Sequence, residues 1–269
     1  MRVPVSASVR EYAVQAGEPV SPRDAATVIL VRDGDAGIEA YMMRRQPTMK
    51  FAPGMYVFPG GRVDEADRVS EVPWAGEPPR IWAERFYCDT PTARGLVCAA
   101  VRETFEETGV LLAGPDAGTV VSDTSGAEWQ DARQRLEARS LSFGDFLNER
   151  GLVLRADLLG AWSHWITPAF EPRRYDTRFF VAVLPDGQSV GGLPGEADRG
   201  AWMPVHRVIE SVDAGHTHML PPTRRTCVEI SDAHADNVLS AAASRTISPR
   251  EPKLVEIDGE AFLQTDLEP

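Results

Sequence analysis

Three carboxylates crowd into five residues of the stretch Arg102-Glu103-Thr104-Phe105-Glu106-Glu107-Thr108-Gly109-Val110. At 3.6 residues per turn, Glu106 and Glu107 fall on either side of Glu103, while Val97, Val101, Thr104 and Phe105 fall opposite. The spacing therefore predicts a helix with one apolar face and one acidic ridge. Like charges so placed cost a helix about 0.2–0.5 kcal/mol per pair. A bound divalent cation reverses that sign, and carboxylate oxygens are the ligands that Mg²⁺ and Mn²⁺ prefer. An acidic ridge on its own is also what an ordinary solvated helix face carries, so its surroundings decide.

Upstream lies Met55-Tyr56-Val57-Phe58-Pro59-Gly60-Gly61-Arg62-Val63-Asp64, a short strand running into a double-glycine bend. Paired glycines allow backbone closed to other residues and leave a carbonyl uncovered. Together, the Phe-Pro-Gly-Gly turn and the acidic helix resemble the Nudix box of hydrolases that act on linked nucleoside diphosphates, G-x5-E-x7-R-E-U-x-E-E-x-G-U with U aliphatic. Gly61, Arg102, Glu103, Glu106, Glu107, Gly109 and Val110 match, and Thr104 replaces an aliphatic residue. Residues 62–101 stand between the opening glycine and Arg102, 40 where the pattern has 13. Arg94 occupies the helical position of the first glutamate, so either the insertion supplies a substitute, with Glu84 the candidate, or the chain does without it.

A box interrupted in this way resembles the coenzyme A diphosphatase branch. Trp162-Ser163-His164-Trp165-Ile166-Thr167-Pro168 and Arg173-Arg174-Tyr175-Asp176-Thr177-Arg178-Phe179-Phe180 are similar to its W-x-x-W-h-T-P…R-R-[FY]-D-T-x-F-F stretch. The resemblance implies an α/β fold, the Nudix α/β/α sandwich with a mixed sheet, an inserted loop and accessory helices. It implies Mg²⁺ or Mn²⁺ as cofactor, held by Glu103, Glu106, Glu107 and the Gly60 carbonyl. Arg102 would orient the glutamates. Glu196, with Asp198 second, is the candidate for a further acid from a later loop. The products from coenzyme A would be 3′,5′-ADP and 4′-phosphopantetheine. Hydrolysis of NADH or ADP-ribose, and silent nucleotide sensing on a Nudix fold, are the alternatives. The resemblance also carries a homodimer as an expectation.

Substrate contacts are expected from two basic groups. Arg45 and Lys50 precede the glycine bend and would hold outer phosphates. Arg174 and Arg178, which strand alternation places on one side, would face the diphosphate. Trp162, Trp165 and Tyr175 either stack an adenine or belong to the core.

A net charge of −12 speaks against a nucleic-acid surface. Three cysteines without paired spacing exclude a zinc ribbon or disulfide scaffold. The chain shows no signal peptide and no apolar run long enough to span a membrane, which points to the cytoplasm. The organisation expected is a loosely structured arm over 1–24, a hydrolase domain over 25–230 and a C-terminal helix and hairpin over 231–269. Within the domain, residues 65–92 read as a lid or a passive loop, the box helix spans 93–108, Val110–Leu112 continues as a strand, and accessory helices lie at about 126–150.

Overall fold

The computed structural model describes residues 2–49, 52–192 and 197–265. Arg2–Pro4 (β1) leads into Ala7–Gln15 (α1). A β-branched run then forms Arg23–Gly34 (β2), which turns at Asp35-Ala36 into Gly37–Arg45 (β3). Tyr56–Val57 (β4) and Gly60–Arg62 (β5) follow. The inserted residues form Glu65–Val69 (α2), Trp74–Ala75 (β6) and Pro79–Phe86 (α3) before the box helix Thr90–Thr108 (α4). Ala113–Gly114 (β7), Ala127–Glu137 (α5), Phe143–Glu149 (α6) and Val153–Arg155 (β8) precede the long strands Gly160–Ile166 (β9), Tyr175–Val183 (β10) and Ala197–Pro204 (β11). Val205–Asp213 (α7), Pro221–Ile230 (α8) and Ala235–Ala243 (α9) come next. Pro249–Arg250 (β12), Lys253–Ile257 (β13) and Glu260–Gln264 (β14) complete the chain.

The central sheet runs β11-β3-β2-β10-β9-β12; β10 is parallel to β2 and β12 to β9, while the β11–β3, β3–β2 and β10–β9 pairs are antiparallel. It separates two cores. On one face Ala26, Val28, Leu30 and Phe180 meet α3, α4, α5 and α6. On the other Ile29, Val31, Phe179 and Val181 meet Val205, Val208, Cys227, Ile230 and Val238 from α7, α8 and α9. The result is an α/β/α sandwich, as period-2 burial on a two-faced sheet requires.

Strand β2 changes partner along one edge. Its residues 31–34 pair with β3, and its residues 25–27 pair with β5. That split opens the sheet beside the double glycine.

The insertion is neither a lid nor a passive loop. Trp82 and Phe86 of α3 are buried and ring against Phe180, with centroids 5.6 and 5.3 Å away. Such pairs add about 0.5–1.5 kcal/mol each beyond area burial. Strand β6 is woven into a small side sheet through β8. The terminal segments are also ordered differently from expectation: β1 is not a loose arm but pairs with β14. Helix α9 packs into the core, and β12 joins the main sheet, so residues 235–250 belong with the sandwich. Val110–Leu112 is fully buried but not strand, and β7 begins at Ala113. Among the described residues no helix is long and apolar enough to cross a membrane.

Candidate active site

Helix α4 presents the acidic ridge because both its ends are fixed. The Asp89 side chain accepts from the Thr92 amide at 2.7 Å, and Pro91 occupies the first turn. Gly109 closes the other end at φ 79°, with its N–H on the Phe105 carbonyl at 2.9 Å. The expected apolar face is buried: Val97, Val101, Thr104 and Phe105 show no exposure. Arg133 of α5 caps the same end, donating to the Glu106 carbonyl at 2.9 Å and the Gly191 carbonyl at 2.5 Å.

The ridge meets the double glycine directly. The Gly60 amide donates to Glu107 Oε2 at 2.7 Å. A Cβ on Gly61 would collide with the Glu103 carboxylate, and one on Gly60 with the Ala26 carbonyl. Gly60 is therefore needed for the strand to close on β2, and a side chain at Gly61 would displace the Glu103 carboxylate. The engaged group of Gly60 is its N–H, where the sequence pointed to its carbonyl.

Arg102 stands at the centre of the charges. It donates to Glu103 Oε1 at 2.7 Å, Glu106 Oε1 at 3.1 Å and the Arg62 carbonyl at 2.8 Å. It also takes Asp67 in a two-pronged contact, Nε to Oδ1 at 3.1 Å and Nη2 to Oδ2 at 3.0 Å. Asp67 is only 3% exposed. One guanidinium thus serves three acids. Burial raises the Asp67 and Glu106 carboxyls above their usual range, and Arg102 offsets only part of that. Burial pushes Glu103 up to about 7 against the opposing pull of Arg102. Burial works against the Arg102 charge as well, but Glu103 and Asp67 outweigh it and hold the guanidinium more firmly protonated.

Asp67 was missed by counting from the wrong end. Back from Arg102, the first box acid falls on Arg94, whose Nη1 instead donates to the Ser70 carbonyl. Forward from Gly61, the G-x5-acid spacing lands on Asp67. Glu84, the suggested substitute, is exposed and pairs with Arg80 on α3. The extra residues enter after Asp67, so the first acid keeps its distance from the glycine.

These groups line a cleft of about 1100 Å³ that extends from Gly60, Glu103, Glu106 and Glu107 across the sheet. Residues 88–227, just over half of the chain, match the family model described as the NUDT19 Nudix domain. The chain belongs to this Nudix family. It is similar to a putative nudix hydrolase 7 of Caenorhabditis elegans, 30% identical over 206 residues that cover 74% of this chain and 57% of that protein. Human acyl-coenzyme A diphosphatase NUDT19 is 30% identical over 227 residues, covering 69% and 58%. A solved NUDIX hydrolase from Alicyclobacillus acidocaldarius, 30% identical, superposes with a TM-score of 0.66 over 86% of this chain and 99% of that one. The chain spans a little over half the length of the curated relatives it matches.

Within the Nudix cleft, the cations differ from those expected. Arg45 lines it. Lys50 and Glu196 lie outside the described residues. Arg178 does not face the diphosphate site: it is 4% exposed and held by Asp176 at 2.7 Å and Asp24 at 3.1 Å. Arg174 reaches the cleft wall, but its guanidinium is committed to Glu251 at 2.5 Å and to the Thr167 and Val20 carbonyls. Strand alternation would place both on the diphosphate side, but Arg174 precedes β10 and reaches the cleft wall while Arg178 is buried between Asp24 and Asp176. Arg23 and Arg62 line the cleft instead and were not singled out. Asp198, the second choice for a late acid, is taken by Arg44. Trp162 is core, with its Nε1 on Glu229 at 3.0 Å. His164 is buried against Asp176 rather than placed for proton transfer in the cleft.

Nudix hydrolases generally use divalent metal ions. Among the described residues, no three His, Cys, Asp or Glu groups converge as a metal cage. Glu103 and Glu106 turn to Arg102, and Glu107 turns to the Gly60 amide. The donor set still fits a hard cation: carboxylates only, crowded and under-compensated, at the floor of a cleft.

Proposed function

We propose that this chain is a divalent-metal-dependent diphosphatase whose substrates are coenzyme A and its acyl thioesters. The observation that carries this reading is the acidic ridge closed against Gly60 and Gly61 at the split of the sheet, with one arginine serving three acids. The relatives named acyl-coenzyme A diphosphatase support the substrate class.

Glu103 and Glu107, with Glu106 beside them, would hold Mg²⁺ or Mn²⁺, and the Gly60 carbonyl would add an oxygen. Bound there, the ion would offset diphosphate charge and make water more acidic. The chain's own residues then do the following. Asp67 fixes the Arg102 guanidinium, and Arg102 fixes the directions of Glu103 and Glu106. Arg45 and Lys50 hold outer phosphates as charge-assisted donors. A ridge glutamate or Glu196 takes the proton from the attacking water. Water adds to one phosphorus, the bridging P–O bond breaks, and the bridging oxygen leaves on the other phosphate. From coenzyme A this yields 3′,5′-ADP and 4′-phosphopantetheine.

The test is a panel of coenzyme A, acetyl- and octanoyl-coenzyme A, NADH and ADP-ribose with Mn²⁺ or Mg²⁺, products separated by chromatography. Release of 3′,5′-ADP, abolished by EDTA, is expected, with coenzyme A species turned over at least tenfold faster than the others. Preferred cleavage of ADP-ribose or NADH would replace this substrate assignment. Tight nucleotide binding without any turnover would replace the enzyme with a sensor.

A further inference from the structure

The cleft has a direction that the sheet register sets. Arg62 pairs with Ala25, Ala25 with Thr177, and Thr177 with Trp165, across β5, β2, β10 and β9. Three strand steps of about 4.8 Å put Trp165 about 14 Å from Arg62. The ridge and Gly60 stand at the β5 end.

The two ends differ in chemistry. Arg23, Arg45 and Arg62 line the cleft from β2, β3 and β5. Beyond Trp165 the lining adds Pro168, Pro172, Pro252 and Leu263, together with Glu171 and the run Arg173-Arg174-Tyr175. Prolines and Leu263 form its aliphatic part, Tyr175 is the aromatic residue among them, and Arg174 is already paired with Glu251. Trp165 itself is 3% exposed and has the Arg250 guanidinium over its ring, so it offers no open face to a base. Glu171 sits in a turn closed by its own amide on the Pro168 carbonyl at 3.1 Å. Among the described residues its carboxylate makes no ion pair, because the nearby Arg174 is committed elsewhere. Burial raises the Glu171 carboxyl above its usual range. A carboxylate repels phosphate but accepts from neutral N–H groups.

We infer that this far end seats the pantetheine arm and acyl thioester of the substrate, with Glu171 accepting an amide N–H of the arm and the proline wall covering its methylenes. The inference rests on the coenzyme A reading. It gives the β13–β14 hairpin a part in the site, since Pro252 immediately precedes β13 and Leu263 lies in β14.

Product inhibition separates the two halves of the substrate. With the full chain, Mn²⁺ and coenzyme A, Glu171→Ala should raise KM for coenzyme A and Ki for 4′-phosphopantetheine about tenfold, the loss of one hydrogen bond to a charged group. The Ki for 3′,5′-ADP should stay within twofold. Pro172→Trp, at an exposed position, should fill the end and penalise octanoyl-coenzyme A more than coenzyme A. Thermal melts of both variants check folding. Unmoved constants for 4′-phosphopantetheine, or a shift in the 3′,5′-ADP constant instead, would overturn the arm site while leaving the activity in place. If wild type fails to turn over coenzyme A, the functional reading falls and the arm site with it.

Discussion

Glu103→Gln should lower turnover by about 100- to 10,000-fold, the range for loss of a positioned acid–base group, and yet raise the melting temperature of the metal-free protein at pH 8. Both effects follow from one carboxyl. Buried on the ridge, Glu103 is pushed up to about 7. Its protonated form is therefore the one the fold prefers. The stability linked to this group is fully present below the unfolded-state pKa, near 4.3, and is lost as pH rises through about 7. Glutamine mimics the protonated form at every pH, so its advantage in EDTA is absent below about pH 4, grows from there and is complete above about pH 7. Glu107→Gln should lose turnover to a similar extent, because its amide oxygen can still accept from Gly60 N–H while its charge is gone. Steady-state rates with Mn²⁺ and thermal melts in EDTA at pH 5 and pH 8 measure both. Retained metal-dependent hydrolysis in the two variants would count against the ridge as the reaction centre. A lower melting temperature for Glu103→Gln at pH 8 would count against its buried charge as the source of the instability.

The trade is what a site built for a cation should show. Asp67, Glu103 and Glu106 crowd one arginine, and an apo protein carries that excess as a cost. The helix that bears the ridge was legible in sequence because the Gly109 stop and the 3.6-residue spacing of apolar residues are local; its start was not, since the helix begins at Thr90 behind the Asp89 cap and not at the expected 93. The sandwich was expected from the resemblance of the interrupted box, and the mixed sheet with helices on both faces agrees with it. Arg174 and Arg178 were not legible: Asp24 and Glu251, which tie them down, lie 154 and 77 residues away in the chain, while Asp176 is a same-strand neighbour of Arg178 whose role the sequence left unread. The insertion misled because its prolines and acidic residues read as a loop. Two of its apolar residues, Trp82 and Phe86, suffice to anchor α3 against Phe180, and composition does not show that.

Arg102→Met should cost about 3–5 kcal/mol, the penalty for leaving buried charge without its partner. At about 2–4 °C per kcal/mol for a chain of this size, the melting temperature falls by about 10 °C. The position is 7% exposed, so solvent cannot replace the guanidinium. Asp67, Glu103 and Glu106 would each lose the cation that offsets their burial. Protonation is their remaining way out, so the cost should shrink as pH falls from 8 to 5. Asp67→Asn should cost less, about 1–3 kcal/mol, because Arg102 keeps Glu103 and Glu106. The two losses should not add. With Asp67 neutral, the arginine has one acid fewer to balance, and the double variant should lie at least 1 kcal/mol above the sum of the singles. Activity separates this account from simple loss of fold. Asp67→Asn, assayed well below its melting temperature, should lower turnover about 10- to 100-fold, as loss of a residue that orients metal-binding groups does. Additive melts together with wild-type turnover in Asp67→Asn would make the Asp67–Arg102 contact a packing feature. A coupled pair with reduced turnover makes it the brace of the acidic ridge, supplied from the opening glycine's side of the interrupted box.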